Sequence, residues 1–156
     1  MKNHSRQNSK TQHKTPLTLI APSHSLSSTS LDLSNNSISI MRNLSRLKHL
    51  KTLNLSHNKI SIVEDIFELE HLEDVNMSYN LIEYLPKEMS EMISLKRLDI
   101  RNNKILYIHG ISSLEGMQLE MLRVEGNRVI KRPKFEETIE RILQKPRCST
   151  LNSEII

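Results

Sequence analysis

The chain has 156 residues, a length that suits one domain, with 37% hydrophobic residues, 3% aromatic residues and a formal net charge of +4. The chain has only three glycines and five prolines, and these low counts argue against a low-complexity chain. No apolar stretch approaches the roughly 18 residues of a membrane span. The single cysteine, Cys148, excludes an internal disulfide.

The first 25 residues are rich in Ser, Thr, Asn, Gln and His and have no acidic residue; the first in the chain is Asp32. Their four cations equal the whole formal net charge and are Lys2, Arg6, Lys10 and Lys14. This composition predicts a disordered basic arm over 1–25. The alternative is that residues 16–27 cover the apolar end of the region that follows.

An asparagine recurs every 22 to 24 residues between 26 and 129, each time within the same apolar frame. The frame is clearest in the second copy, Leu50-x-x-Leu53-x-Leu55-x-x-Asn58-x-Ile60. Within the frame, apolar residues alternate with other residues. This period of two predicts one short strand per copy, with its apolar side chains pointing inward. The five asparagines are Asn36, Asn58, Asn80, Asn103 and Asn127.

Each of these asparagines stands where the predicted strand turns away. A buried turn leaves backbone N–H and C=O groups without partners, and a carboxamide supplies two donors and an acceptor. Five copies in register therefore predict a structural ladder of asparagine side chains inside the coil.

The segment after each asparagine has a different period. After Asn36 the apolar residues fall every third position, and the same spacing follows Asn58. Period three matches the three residues per turn of a 3₁₀ helix, so we expect short 3₁₀ or helical turns on the side opposite the strands. The third copy adds one residue and a Leu85-Pro86 step, and the fourth adds two.

Residues 130–146 carry the pattern of a terminal helix. Phe135, Ile139, Ile142 and Leu143 are spaced four, three and one apart, as on the apolar face of an amphipathic helix, and Pro146 ends the pattern. We expect this helix to cap the last copy and residues 147–156 to form a tail.

The repeated frame resembles the leucine-rich repeat family, intracellular type. The 22-residue copies are similar to those of the regulatory subunit of protein phosphatase 1, whereas the 23-residue copy is similar to ordinary intracellular repeats. The resemblance implies an α/β fold: a curved right-handed solenoid of about five repeats. Its parallel sheet would line the concave face, with 3₁₀ or short helices on the convex face and a helix as C-terminal cap.

In such a solenoid the outward side chains of the strands form columns on the concave face. Arginines and a tyrosine concentrate toward the C-terminal half, and both residue types are enriched at the energetic centres of protein interfaces. Because Asp99 alone cannot neutralise three guanidinium groups, we expect a net positive cluster that suits an acidic partner surface. The predicted partner-binding residues are His57, Asp74, Tyr79, Arg97, Asp99, Arg101 and Arg123.

These features predict a non-catalytic protein-interaction module, a scaffold or regulatory subunit, that acts as a monomer or as one subunit of a hetero-complex. No enzyme activity, cofactor, metal or membrane partner is expected. The alternative is a ribonucleoprotein-associated leucine-rich repeat protein, similar to the spliceosomal A-prime protein, which would meet nucleic acid through its complex. Without paired cysteines or a signal-peptide pattern, we expect a protein that is not secreted, with a cytoplasmic location and the nucleus as the alternative.

Overall fold

The computed structural model of the chain describes residues 17–18 and 28–143. The predictions of a disordered arm over 1–25, apart from Leu17–Thr18, and of a tail over 147–156 lie outside the described residues. Within the described part, no helix is long and apolar enough to cross a membrane.

Each repeat contributes one short strand to a parallel sheet. In chain order the strands are β1 (Leu17–Thr18), β2 (Ser30–Asp32), β3 (Ile38–Ile40), β4 (Thr52–Asn54), β5 (Asp74–Asn76), β6 (Arg97–Asp99) and β7 (Met121–Arg123). The main sheet has the order β2-β4-β5-β6-β7, so neighbours in the sheet are successive repeats. The predicted repeat architecture, one parallel strand per repeat, is confirmed.

The register of this sheet fixes which side chains share a column. Asp32, Asn54, Asn76, Asp99 and Arg123 are paired in sequence from one strand to the next. The central residue of β4, β5, β6 and β7 is buried, whereas the residues on either side of it point mainly to solvent. We call this solvent-facing side the sheet face; it is the predicted concave surface.

The opposite side of the coil consists of short helices and turns. The 3₁₀ helices are Leu44–Arg46, Lys87–Glu91 and Arg128–Lys131. In the second repeat the chain forms successive three-residue turns. In one of them the N–H of Leu69 donates to the carbonyl of Ile66 at 3.1 Å. The fourth repeat instead contains α1 (Ile108–Ser112), followed by Gly116 at a φ of 86° within its two extra residues.

A second α-helix, α2 (Phe135–Leu143), closes the C-terminal end of the stack. Its buried face consists of Phe135, Thr138, Ile139 and Ile142. The helix packs against α1 and against the 3₁₀ helix of the fifth repeat. Arg141 also pairs with Glu115 of the fourth repeat at 3.0 Å. The helix begins at Phe135, because residues 128–131 form the preceding 3₁₀ helix.

At the N-terminal end, β1 pairs in parallel with β3, with Leu17 opposite Ile38 and Thr18 opposite Ile40. A two-residue piece of the N-terminal segment therefore lies beside the first repeat. The predicted cap over 16–27 includes this piece, and the rest of that cap lies outside the described residues.

Candidate functional site

The repeated asparagines bind the backbone of their own repeat and of the repeat before it. Asn80 is typical: its Nδ2 donates to the carbonyl of Leu55 at 2.9 Å and to that of Met77 at 3.1 Å. Its Oδ1 accepts from the backbone N–H of Ile60 at 3.0 Å. The same three contacts are made by Asn58, Asn103 and Asn127.

Asn36, in the first repeat, differs from the other four. It is exposed, and among the described residues its Nδ2 donates to two carbonyls of its own repeat, Leu33 at 3.1 Å and Ser34 at 2.9 Å. The preceding coil that would supply the other contacts is not among the described residues. Four of the five asparagines therefore hydrogen-bond to the backbone of two successive repeats, and their buried carboxamides have a structural role.

The residue just before each ladder asparagine has a left-handed backbone. The φ angles are Asn35 56°, His57 56°, Tyr79 55°, Asn102 52° and Gly126 72°. Backbone hydrogen bonds hold this column in place: Tyr79 N–H donates to Arg101 at 2.9 Å, and Asn102 N–H to Glu125 at 2.8 Å. We call these five residues the turn column.

Only some residue types suit this backbone. Asn and Gly adopt the left-handed region readily, whereas for other residues it costs about 1–2 kcal/mol. Three members of the turn column follow this preference, but His57 and Tyr79 do not. At Gly126 an added Cβ would also lie 2.2 Å from Oδ1 of Asn102, so the side chain of Asn102 would have to move.

His57 and Tyr79 form a stacked pair at the edge of the sheet face. Their ring centroids are 4.3 Å apart and their planes differ by 10°. Both residues are exposed, with 47% of Tyr79 accessible to solvent. The stack offsets part of the backbone cost and holds both rings in one orientation.

Asp99 lies at the centre of the arginine cluster and is buried. Arg101 binds it with Nη2 at 2.7 Å and Nε at 3.1 Å, and Arg123 approaches the same carboxylate at 3.8 Å. Asp99 Oδ1 also accepts from the backbone N–H of Arg101 at 3.1 Å. The sequence assigned Asp99 to partner contact, but its burial makes it a residue that positions Arg101.

The third arginine, Arg97, is paired with a different acid. Its Nε donates to Asp74 on the neighbouring strand at 2.9 Å, and Glu120 lies 3.8 Å from Nη1. Hydrogen bonding to Asp74 raises the pKa of Arg97, as hydrogen bonding to Asp99 raises that of Arg101. Both guanidinium groups are held in place while remaining partly exposed.

The expected net positive cluster is therefore absent. Three arginines face the acids Asp74, Asp99 and Glu120, and Glu125 adds a fourth carboxyl group beside Arg101. The prediction counted Asp99 alone, whereas Asp74 on β5 and the two glutamates that flank β7 also face the arginines. Charge alone no longer favours an acidic partner at the sheet face.

Glu125 is the residue of this cluster that sequence reasoning missed. Both of its carboxylate oxygens are buried and make no hydrogen bond in the described structure. Burial raises the pKa of Glu125 above its ordinary 4.5, and the charge of Asp99 adds to this. The nearby backbone N–H of Glu125 itself and the charges of Arg101 and Arg123 lower this pKa and so act in the opposite direction.

The predicted site residues thus fall into two adjoining groups. One is the charged cluster of the third to fifth repeats, and the other is the His57–Tyr79 stack. Arg101 connects them, because its carbonyl accepts the N–H of Tyr79 while its guanidinium donates to Asp99.

Comparison with known proteins agrees with this geometry. A family model described as leucine-rich repeats, two copies, matches residues 29–68. This chain belongs to the leucine-rich repeat family. The match does not distinguish between subclasses, so the likeness to the repeats of the phosphatase-1 regulatory subunit stays a prediction. A search of curated proteins finds no match.

Several solved structures share the fold. A leucine-rich repeat protein of Leptospira interrogans is 32% identical, with a TM-score of 0.65 over 76% of this chain and 30% of that one. Internalin C2 of Listeria monocytogenes is 25% identical, with a TM-score of 0.57 over 64% of this chain and 43% of that one. This leucine-rich repeat chain therefore spans less than half the length of either bacterial protein.

A chain of the Drosophila melanogaster SNF/U2A' complex is more similar in extent. Its TM-score is 0.67 over 76% of this chain and 70% of that one. The identity is 22%, so the likeness shows the fold alone.

Proposed function

We propose that this leucine-rich repeat chain is a non-catalytic module that binds a protein partner through the C-terminal half of its sheet face. The contact surface consists of the His57–Tyr79 stack and the exposed parts of Arg97, Arg101 and Arg123. Asp74 and Asp99 hold the arginines in position, and the partner supplies a donor to Glu125.

The His57–Tyr79 stack carries this proposal. Two bulky residues occupy left-handed positions where the same column elsewhere uses Asn or Gly, and they leave their rings in solvent. A local conformation that costs stability without filling the core is expected at functional positions. Tyrosine is also frequent among the residues that dominate binding energy.

The arginines fit the same role because their side chains are preorganised. Arg97 and Arg101 are each fixed by a carboxylate, yet their side chains stay 41% and 30% exposed. A guanidinium that is already ordered loses less conformational entropy when a partner binds it. The balanced charge of the cluster suits a partner with polar groups of both signs.

A matched pair of substitutions in the turn column tests the proposal. Tyr79→Asn removes the ring but suits the left-handed backbone, whereas the control Asn35→Gly changes the same column far from the cluster. Full-length tagged baits would be compared by quantitative mass spectrometry of their bound proteins. We expect at least about a tenfold loss of the partner with Tyr79→Asn and no loss with Asn35→Gly.

Arg97→Ala adds a second test from the charged group. Arg97 pairs with Asp74 near the surface, so its loss should change stability little. We expect it to weaken capture of the same partner. Undiminished capture by both Tyr79→Asn and Arg97→Ala would overturn the assignment of this surface.

A second candidate function is participation in a ribonucleoprotein. The similar extent of this chain and the chain from the SNF/U2A' complex favours it. In that case the bait should recover RNA together with protein, and ribonuclease should release part of the bound material. A partner set that resists both ribonuclease and high salt supports the first proposal instead.

We also propose that the protein acts inside the cell, in the cytoplasm with the nucleus as the alternative. The support is its single cysteine, since extracellular members of the family usually have caps with paired cysteines. Microscopy of the full chain with a fluorescent tag tests this, and a secreted product would contradict it.

A further inference from the structure

Most of the large apolar side chains that the described structure exposes lie on one edge of the solenoid. Five of the seven belong to segments that follow a ladder asparagine and are Ile62, Leu81, Tyr84, Tyr107 and Ile130. Tyr79 directly precedes a ladder asparagine, and Ile93 lies elsewhere, ahead of β6. Exposed apolar residues grouped in one part of each repeat mark an interaction site more often than scattered residues do.

Three of these residues occupy the same position in successive repeats. Ile62, Tyr84 and Tyr107 each stand four residues after their ladder asparagine, and they are 52%, 47% and 54% exposed. We call them the rim stripe. Tyr107 also rests beside His109, with ring centroids 5.5 Å apart.

The repeats are hydrogen-bonded to one another just ahead of the rim stripe. Leu81 N–H donates to Ile60 at 2.8 Å, and Lys104 N–H donates to Ile82 at 2.8 Å. Direct backbone bonding sets the spacing of equivalent residues at about 5 Å. We therefore expect the stripe to present one apolar side chain about every 5 Å.

This spacing favours a helical partner. An α-helix presents one apolar residue per turn about every 5.4 Å, which follows the stripe across three repeats with a mismatch of about 1 Å. An extended strand presents alternate residues about every 6.7 Å and falls out of step by about 3 Å over the same distance.

The charge beside the stripe gives the chemistry of that helix. Lys59, Lys104 and Arg128 each directly follow a ladder asparagine and are exposed. None of the three has an ion pair among the described residues, in contrast to the paired arginines of the sheet face. They form an unneutralised basic edge, which we call the rim cations.

From these observations we propose that the rim stripe and the rim cations bind an amphipathic helix of a partner protein. Apolar residues at successive turns of that helix lie on Ile62, Tyr84 and Tyr107, and its Asp or Glu residues on one flank face the rim cations. This is a second surface, separate from the sheet face, and it does not depend on the function proposed there.

Acidic residues on the same edge favour a protein over a nucleic acid. Glu83 is exposed between the two columns, and Glu64 and Asp65 follow the stripe residue of the second repeat. A phosphate backbone carries a charge on every nucleotide and would meet these carboxylates, whereas a helix can keep its acidic residues on the flank that faces the rim cations. Ile62 and Leu81 also offer aliphatic contacts, which suit leucine side chains better than stacked bases.

The test uses the full chain and three fluorescent peptides of about 18 residues. The first is a helix-forming peptide with leucines on one face and glutamates along one flank; the second replaces the glutamates with lysines. The third has the composition of the first in scrambled order. Binding is measured by fluorescence anisotropy. We expect the acidic peptide to bind at least about tenfold more tightly than the other two.

Variants then locate the binding site. The double variant Tyr84→Ser/Tyr107→Ser and the variant Lys104→Glu change exposed side chains, so circular dichroism should show unchanged folding. Each should weaken binding of the acidic peptide at least fivefold. Tyr79→Asn should leave it unchanged, which separates this proposal from that for the sheet face.

Four outcomes would overturn the proposal. They are equal binding of the acidic and scrambled peptides, binding that the double variant does not weaken, tighter binding of a single-stranded RNA at the same residues, and dimerisation of the full chain that the double variant abolishes. The third would assign the surface to nucleic acid, and the fourth would assign it to a second copy of this chain.

Discussion

Two neighbouring columns of the solenoid differ in the residue types that occupy them. The ladder column holds an asparagine in every repeat, whereas the turn column, one residue earlier, holds Asn35, His57, Tyr79, Asn102 and Gly126. Four of the ladder side chains are buried between repeats, where their carboxamides satisfy backbone groups. The turn column shares a backbone conformation, but most of its side chains face solvent, so its chemistry is free to vary.

The difference separates positions whose residue type is fixed by burial from positions whose residue type can vary. Burial of backbone donors and acceptors demands one residue type. At an exposed turn position the remaining constraint is the left-handed backbone, which costs most residues about 1–2 kcal/mol. His57 and Tyr79 adopt this backbone nevertheless.

The largest effect is expected from breaking the ladder. Asn80→Ala should leave the carbonyl of Leu55 and the N–H of Ile60 buried without their present partner. We expect a loss of about 3 kcal/mol in the free energy of unfolding, measured by urea denaturation. Asn36→Ala is the matched control, and it should cost about 1 kcal/mol or less because Asn36 is exposed. Equal losses would show that contacts between repeats add nothing.

A smaller loss of stability should distinguish Arg101, in the turn after β6, from Arg97, on β6 itself. Arg101→Ala removes the main partner of the buried Asp99, while Arg123 stays 3.8 Å away. We expect a loss of about 2 kcal/mol, because a buried carboxylate is left poorly paired. Arg97→Ala is the control and should cost under about 1 kcal/mol, since its partner Asp74 is more exposed. Thermal unfolding of both variants at one pH measures the contrast.

The smallest effect concerns pH and Glu125. Because burial raises the pKa of its carboxyl group, the folded state binds that proton more tightly than the unfolded state does. The stability contributed by this group is complete below the ordinary pKa and is lost as the pH rises through the raised one. Glu125→Gln should therefore gain stability relative to wild type between about pH 4 and pH 7. A constant difference in melting temperature over that range would contradict the assignment.

The sequence was sufficient for the fold because the period-two and period-three patterns are set by burial. The columns of the sheet face also followed from the repeat frame, and β2, β4, β5, β6 and β7 pair in that register. The charge balance was not predicted, because ion pairs such as Arg97–Asp74 join different strands and depend on side-chain geometry.

The left-handed turn column was not predicted either. Asn35, Asn102 and Gly126 carried a signal for it, since Asn and Gly favour that backbone. His57 and Tyr79 interrupted the signal in the second and third repeats. The rim stripe was overlooked because its residues are apolar, and in a repeat sequence apolar residues are first assigned to the core.

Tyr79 of the turn column and Asn80 of the ladder column are adjacent in the chain. The most direct test of the account is urea denaturation of the wild type, Asn80→Ala and Tyr79→Asn under identical conditions. The account predicts a loss of about 3 kcal/mol for Asn80→Ala. Tyr79→Asn should stay within about 1 kcal/mol of wild type, because an easier backbone offsets the lost ring stack. If Tyr79→Asn destabilised the protein as much as Asn80→Ala, the tyrosine would be structural and the division between the columns would be wrong.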